Sequence, residues 1–258
     1  MADVGGAPAS FIDSMVSRLR AGFNNLPYII ICLVGLLAMG LGSIGLFVLF
    51  VGHAAIVPIL VNILQQITGA IELVTRTSLF SVDGAAADAN VVIPGSESSP
   101  NVGPSYWSAH MSFFFGYLLA NGISLNTAPA DPLIDKIHVN NRKMRSRNII
   151  VATILFALIV PMLRFRLTGG DLIAQAGPGR TWLVWLISIF TLNFQGGAET
   201  MAGILLALIA CGGIGYAWYL FAESCGARAA DVFGIAHQII PASSKNETPM
   251  ACVYSPKP

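Results

Sequence analysis

The chain has 258 residues, of which 55% are hydrophobic and only 10% are charged, and its net charge is +1. Soluble domains carry about 25% charged residues, so the composition excludes an ordinary soluble domain and indicates a membrane protein. A net charge near zero gives no overall field that attracts nucleic acid, and no nucleic-acid partner is predicted. The four cysteines show no CxxC or metal spacing, so no metal site is predicted. A Cys225–Cys252 disulfide remains an alternative if the C-terminal tail lies outside the cytoplasm.

The N-terminal segment, residues 1–27, contains a short amphipathic pattern. Residues 10–23 place their apolar side chains on one helical face, with Arg18 and Arg20 off that face. This pattern predicts a helix that lies on a membrane surface or docks on a partner protein. The segment lacks the early apolar core of a signal peptide, so the first span is expected to act as its own insertion signal.

Residues 28–51 form a continuous apolar region, longer than the roughly 20 residues that one span needs. Small residues recur along it at steps of three or four, which predicts a seam where another helix approaches closely. These residues are Gly35, Ala38, Gly42 and Gly45. Gly52 and His53 are expected to break the helix. Residues 55–75 then form either a second span or a helix in the membrane interface, and the interfacial alternative is preferred.

Residues 76–104 are rich in glycine, proline, serine and acids, and they predict an exposed polar loop. Residues 105–125 are apolar again and begin with aromatic residues typical of a membrane interface, so a span is predicted there. The polar connector that follows ends in a basic cluster before residue 148.

Residues 148–166 contain the most distinctive span, because no charge lies between Arg147 and Arg164. A helix that is apolar on every face lies in a membrane or deep in a large core, and the flanking cations favour the membrane. The cations are predicted to orient the helix or to bind anionic headgroups. They are Arg142, Lys143, Arg145, Arg147, Arg164 and Arg166.

Two further apolar segments follow. Residues 181–195 could be a thin span, half of a re-entrant hairpin or an interfacial helix, while residues 201–222 are a clear last span. The last span carries a second seam of small residues at steps of four, namely Gly203, Ala207, Cys211 and Gly215. Residues 223–258 form a polar tail.

The distribution of charge predicts the topology. The positive-inside tendency places the connector at 126–147 in the cytoplasm and the acidic loop at 76–104 on the opposite side. A single span at 28–51 then puts Arg18 and Arg20 in the cytoplasm as well. The predicted fold class is an all-α, polytopic integral membrane protein with about four to six membrane helices and an N-terminal amphipathic helix.

The chain shows no sign of an enzyme. The spans contain no paired carboxylates and the loops contain no phosphate-binding motif, so we predict no catalytic residue, no cofactor and no enzymatic activity. Two alternatives stay open. His53 and His110 could ligate a haem, as in bis-histidine membrane cytochromes. A small oligomeric channel or transporter could have a path lined by His53, Asn62, Gln65, Gln66 and Glu72.

Two stretches, residues 105–121 and 139–150, resemble membrane proteins of large icosahedral DNA viruses with an internal lipid layer, such as the chloroviruses. The resemblance implies a minor capsid protein that spans the inner virion membrane, derived from a host membrane, and joins it to the shell. Together with the low charge and the packing seams, it predicts a structural protein that anchors a protein shell to a bilayer. The predicted partners are the lipid bilayer and neighbouring capsid or membrane proteins, and a homo-oligomer stays open.

Overall fold

The computed structural model describes residues 18–19, 21–81, 103–128, 136–168, 200–226 and 231–233. Within these ranges most residues are helical, and none of them lies in a β-strand. The helices are α1 (Leu26–Leu41), α2 (Ile44–Thr75), α3 (Tyr106–Thr127), α4 (Lys136–Thr168) and α5 (Met201–Cys225). Three described helices are long and apolar enough to cross a membrane: Ile44–Thr75, Val139–Pro161 and Met201–Cys225.

A tight helical hairpin stands where a single helix was predicted over residues 28–51. α1 ends at Leu41, because Gly42 adopts a left-handed conformation with φ of 61°. Ser43 then caps α2, and its hydroxyl oxygen accepts a hydrogen bond from the backbone nitrogen of Leu46 at 3.4 Å. The glycine and serine of this apolar region therefore turn the chain back on itself.

The break predicted at Gly52 and His53 is a π-helical turn, Gly52–Ile56, inside the continuous helix α2. Pro58 follows the turn and has no amide proton, so the α-helical bond to the carbonyl of Ala54 cannot form. The helix widens there instead of ending. Residues 57–75 thus belong to a helix of span length rather than to a separate interfacial helix. The 32 residues of α2 extend about 48 Å, more than the hydrocarbon thickness of about 30 Å.

The centre of the fold is α3, not the uncharged run of α4. Both flanks of α3 are buried, with Trp107, Phe113 and Tyr117 at most 1% exposed. α4 packs antiparallel to α3 and α5 packs parallel to it, while α1 and α2 cover the remaining side. By contrast, only 11% of the most apolar window of α4 is buried, so its uncharged surface faces outward.

The bundle has two ends, which we name after the limits of α3. At the Ser105 end, the hydroxyl of Thr68 donates to the carbonyl of Gly103 at 2.7 Å, and Arg164 donates to Ser105. At the Thr127 end, the hydroxyl of Ser124 donates to the carboxylate of Glu223 near the close of α5. α4 therefore ends, and α5 begins, at the Ser105 end.

The two ends of the bundle bear on the predicted topology. The basic stretch of α4 lies at the Thr127 end and the turn after α2 lies at the Ser105 end, so the two lie at opposite ends of the bundle. The chain enters α1 at the Ser105 end, however, where the indole of Trp107 donates to the carbonyl of Phe23 at 2.7 Å. Arg18 was expected on the side of the basic connector. The α1–α2 hairpin reverses the chain and removes the reason for that placement.

Several predicted segments lie outside the described residues. These are residues 1–17 and Arg20 of the N-terminal segment, most of the acidic loop, the apolar segment 181–195 and nearly all of the tail beyond residue 226.

Candidate functional site

The small residues of α5 lie against α3. Gly203, Ala207, Cys211 and Gly215 are all buried. A side chain at Gly215 would overlap the backbone of Phe113, and one at Gly116 would overlap the carbonyl of Gly212. Because no side chain separates the two helices at these points, α3 and α5 touch backbone to backbone.

The small residues of the first apolar region do not share one seam. Gly35 and Ala38 are buried on α1, where Gly35 faces the ring of Phe50 across the hairpin. Gly42 is exposed in the turn, and Gly45 lies on α2 against the backbone of Asp231. The turn at Gly42 divides the stripe between two antiparallel helices, which a straight-helix pattern does not reveal.

Two of the predicted headgroup-binding cations are buried within the bundle. A guanidinium nitrogen of Arg164 donates to the hydroxyl of Ser105 at 3.1 Å, and its central carbon lies 4.5 Å from the ring centroid of Trp107. Arg142 donates to the carbonyl of Ala128. The side chains of both arginines are no more than 3% exposed. They therefore fasten the two ends of α4 to α3, a role that differs from the predicted one.

The other described cations face outward. Lys143, Arg145 and Arg147 are exposed on α4 at the Thr127 end. Lys143 and Arg147 are four residues apart and share one helical face. Arg166 lies in α4, but its side chain is outside the described set. The exposed part of the cluster is therefore accessible from outside the bundle.

A buried histidine pair joins α2 to α3. The Nδ1 atoms of His53 and His110 lie 2.9 Å apart, and both side chains are only 1% exposed. His53 is in the π-helical turn, and turns of this kind occur frequently at functional sites. Tyr106 packs edge-on against His110 with ring centroids 4.0 Å apart, and Phe113 packs edge-on against His53 at 5.1 Å.

The pair leaves its outer nitrogens unsatisfied. One Nδ1 must donate and the other must accept, so in the neutral pair one Nε2 carries a proton and the other does not. Neither Nε2 has a hydrogen-bond partner within the described part of the chain, although both are buried. Two polar atoms of opposite character therefore lie in an apolar, aromatic setting.

The two histidines meet, as haem ligation by His53 and His110 requires, but the space between their facing Nδ1 atoms does not fit an intervening metal. Two metal–nitrogen bonds of about 2 Å each, on opposite sides of an ion, need about 4 Å between the nitrogens. The observed 2.9 Å is a hydrogen-bond distance. Among the described residues, no group of three or more histidine, cysteine or acidic side chains could hold a metal ion.

The other residues of the predicted channel path have separate roles. The amide of Gln66 donates to Asn62 at 2.9 Å on the outer face of α2, and Gln65 donates to the carbonyl of Pro104 at 3.1 Å. Glu72 accepts from the backbone nitrogens of Phe80 and Ser81 and closes the turn after α2. Within the described ranges these side chains do not line a common path with His53.

A polar contact between α3 and α5 was missed in the sequence. The side chain of Asn121 is completely buried, and its amide nitrogen lies 3.4 Å from the hydroxyl of Tyr219. One turn further along, Ser124 meets Glu223. The sequence contained a sign of this contact, because the two polar residues on each helix lie about one turn apart. Which residue of α3 meets which residue of α5 depends on the register between the helices, and spacing alone does not give that register.

Comparison with known proteins does not assign the chain to a family. No protein-family model matches the chain, and no curated protein or solved structure matches it at a significant level.

Proposed function

We propose that the chain is a structural membrane protein that anchors a protein shell or assembly to a lipid bilayer. Under this proposal all five helices lie within the bilayer, with α3 shielded from lipid by its neighbours. The proposal rests on the enclosed position of α3. A helix held by backbone contacts with α5 and by buried arginines from α4 favours a rigid anchor over a water-filled path.

The polar composition of α3 also supports its place inside such a bundle. Its 22 residues extend about 33 Å, enough to cross the hydrocarbon layer. His110 and Asn121 would be costly against lipid, but each contacts a polar group of a neighbouring helix. The virion setting, with the capsid as partner, rests on the resemblance of residues 105–121 and 139–150 alone.

Photo-crosslinking in the native membranes tests this proposal. We expect a crosslinker at Ser78, which is exposed at the Ser105 end, to capture a neighbouring protein. A crosslinker at Leu155, which is 51% exposed on α4, should capture lipid. Salt washing should leave the chain in the membrane. Release by salt, absence of protein adducts at Ser78, or absence of lipid adducts at Leu155 would contradict the anchoring role.

A second candidate function is proton passage, and the histidine pair favours it. A proton taken up at the free Nε2 of one ring allows that ring to pass its Nδ1 proton to the other ring. The second ring then releases the proton on its own Nε2. One proton enters, one leaves, and the two rings exchange tautomers, which must be restored before a second proton can pass in the same direction.

Proton flux into vesicles distinguishes the two functions. The reconstituted chain should dissipate a pH gradient under the second candidate, and His110→Phe should abolish the flux. Gln66→Leu, which changes a polar side chain on the outer face of α2, is the matched control and should leave the flux unchanged. Vesicles that hold their gradient would eliminate proton passage and leave the anchor.

A further inference from the structure

A groove opens on the outer surface of the bundle between α4 and α5. Its volume is about 330 Å³, and Gly116 of α3 lies at its floor. Thr153 and Ile154 form the α4 wall, and Gly213 and Tyr216 form part of the α5 wall. Ile154 and Gly213 are exposed, so the groove is open to the surroundings of the bundle. The volume falls within the range of about 300–1,000 Å³ typical of small-molecule sites.

The groove lies at a depth that the bilayer would occupy. Its α4 wall is inside Val139–Pro161 and its α5 wall is inside Met201–Cys225, both of which are apolar enough to cross a membrane. The lining is largely apolar, with Ser112, Thr153 and Tyr216 as its polar members. If the chain is the membrane anchor proposed above, on which this inference rests, the groove opens toward acyl chains.

Two exposed cations stand above the groove on the same face of α4. Arg147 precedes Ile154 by seven residues and Lys143 precedes it by eleven, which correspond to about two and three helical turns. Their backbone positions are therefore about 10 and 16 Å from Ile154 along the helix axis. Ile154 lies near the middle of the uncharged run between Arg147 and Arg164, and half of the hydrocarbon layer is about 15 Å thick. The long side chains of both cations therefore extend to the headgroup level at the Thr127 end.

We infer that the groove and these cations form one binding site for an anionic phospholipid. The phosphate group lies against Arg147 and Lys143, and one acyl chain lies in the groove between α4 and α5. Positive charge at the headgroup level complements a negative phosphate, and each cation near the surface contributes roughly fivefold to affinity. The groove between α4 and α5 lies directly below the two cations and accommodates the acyl chain.

Native mass spectrometry of the full-length chain tests the site. The chain is reconstituted in vesicles of equal parts phosphatidylglycerol and phosphatidylcholine, then released in mild detergent, and its retained lipids are counted. The wild type should retain one phosphatidylglycerol molecule. The double variant Lys143→Gln with Arg147→Gln should lower the affinity for phosphatidylglycerol about 25-fold, so that most of the retained lipid is lost. The control, Arg18→Gln with Arg76→Gln, removes the same charge from exposed positions outside the site.

A second pair of variants tests the groove itself. A side chain at Gly213 meets nothing within 4 Å, so Gly213→Leu should fill the groove without disturbing the fold and should prevent retention. Gly40→Leu, at an equally open position on α1, should leave retention unchanged. Equal retention of the two lipids would overturn the selection of an anionic headgroup, and full retention in Gly213→Leu would overturn the groove as the position of the acyl chain. A chain that salt washes from the vesicles would instead overturn the membrane anchor.

Discussion

The carbonyl group of Gly212 lies where a side chain on Gly116 would begin, so α3 and α5 are in direct backbone contact. Gly215 repeats the arrangement against Phe113 about one turn further along α5. In a bilayer, where lipid is as apolar as a leucine side chain, such close approach is a principal source of attraction between helices. The contact therefore packs the centre of the bundle tightly. Glycine-to-alanine substitutions, which add a single methyl group, test it.

Gly116→Ala should destabilise the bundle, because its new methyl group overlaps the backbone of α5 and the helices must separate. We expect a loss of about 1–3 kcal/mol in the free energy of unfolding, the usual cost of overpacking. Gly213→Ala is the matched control, since its methyl group enters open space. It should stabilise α5 by up to about 1 kcal/mol through helix propensity. Unfolding in detergent measures both, and equal effects would contradict the contact.

The histidine pair should show energetic coupling. His53→Ala and His110→Ala each remove the hydrogen bond between the Nδ1 atoms and leave the other imidazole buried without it. The double variant should lose less than the sum of the two single losses, by about 1 kcal/mol. Thermal unfolding of the four proteins in detergent gives this cycle. Simple additivity would mean that the two rings do not share a hydrogen bond.

The α1–α2 hairpin predicts which positions are reached from the same side of the membrane. In a chain whose four cysteines are replaced by alanine, Leu41→Cys and Lys143→Cys lie at the Thr127 end, and Ser78→Cys lies at the Ser105 end. A membrane-impermeant maleimide should label the first two from one side of sealed vesicles and the third from the other.

The alternative topology gives a different labelling pattern. A single span over residues 28–51, followed by an interfacial helix, would place Leu41 in the hydrocarbon layer, where the reagent does not reach. Absence of labelling at Leu41, or labelling together with Ser78, would contradict the hairpin.

The sequence was sufficient to predict the helical class and the outward face of α4, because an uncharged run between arginines fits a membrane far better than a water-soluble core. It misled at the hairpin, where apolar residues continue on both sides of Gly42 and hydropathy carries no information on direction. The sequence also did not indicate that α3 lies at the centre of the bundle, because its mixed polarity is typical of a weak span. That polarity is tolerated because other helices enclose it.

The site residues were predicted unevenly for a related reason. The stripe from Gly203 to Gly215 lies on one continuous helix, and its four residues are buried even though the helix contains a π-helical turn at Ala207–Cys211. The exposure of Lys143 and Arg147 could also be predicted, because both lie in the basic stretch that precedes the apolar run of α4. Arg142 and Arg164 point inward, and this depends on which face of α4 meets α3. His53 and His110 are 57 residues apart, and only the packing of α2 on α3 brings them together.

The central claim is that lipid surrounds the outer face of α4, and spin labels on that helix test it most directly. Labels replace Leu155 and Leu158, which are 51% and 58% exposed, and Lys143 serves as the aqueous reference. In vesicles, we expect the two leucine positions to collide readily with oxygen and rarely with a water-soluble nickel complex, while position 143 shows the reverse. Ready collision with nickel at positions 155 and 158, or with neither reagent, would contradict the claim.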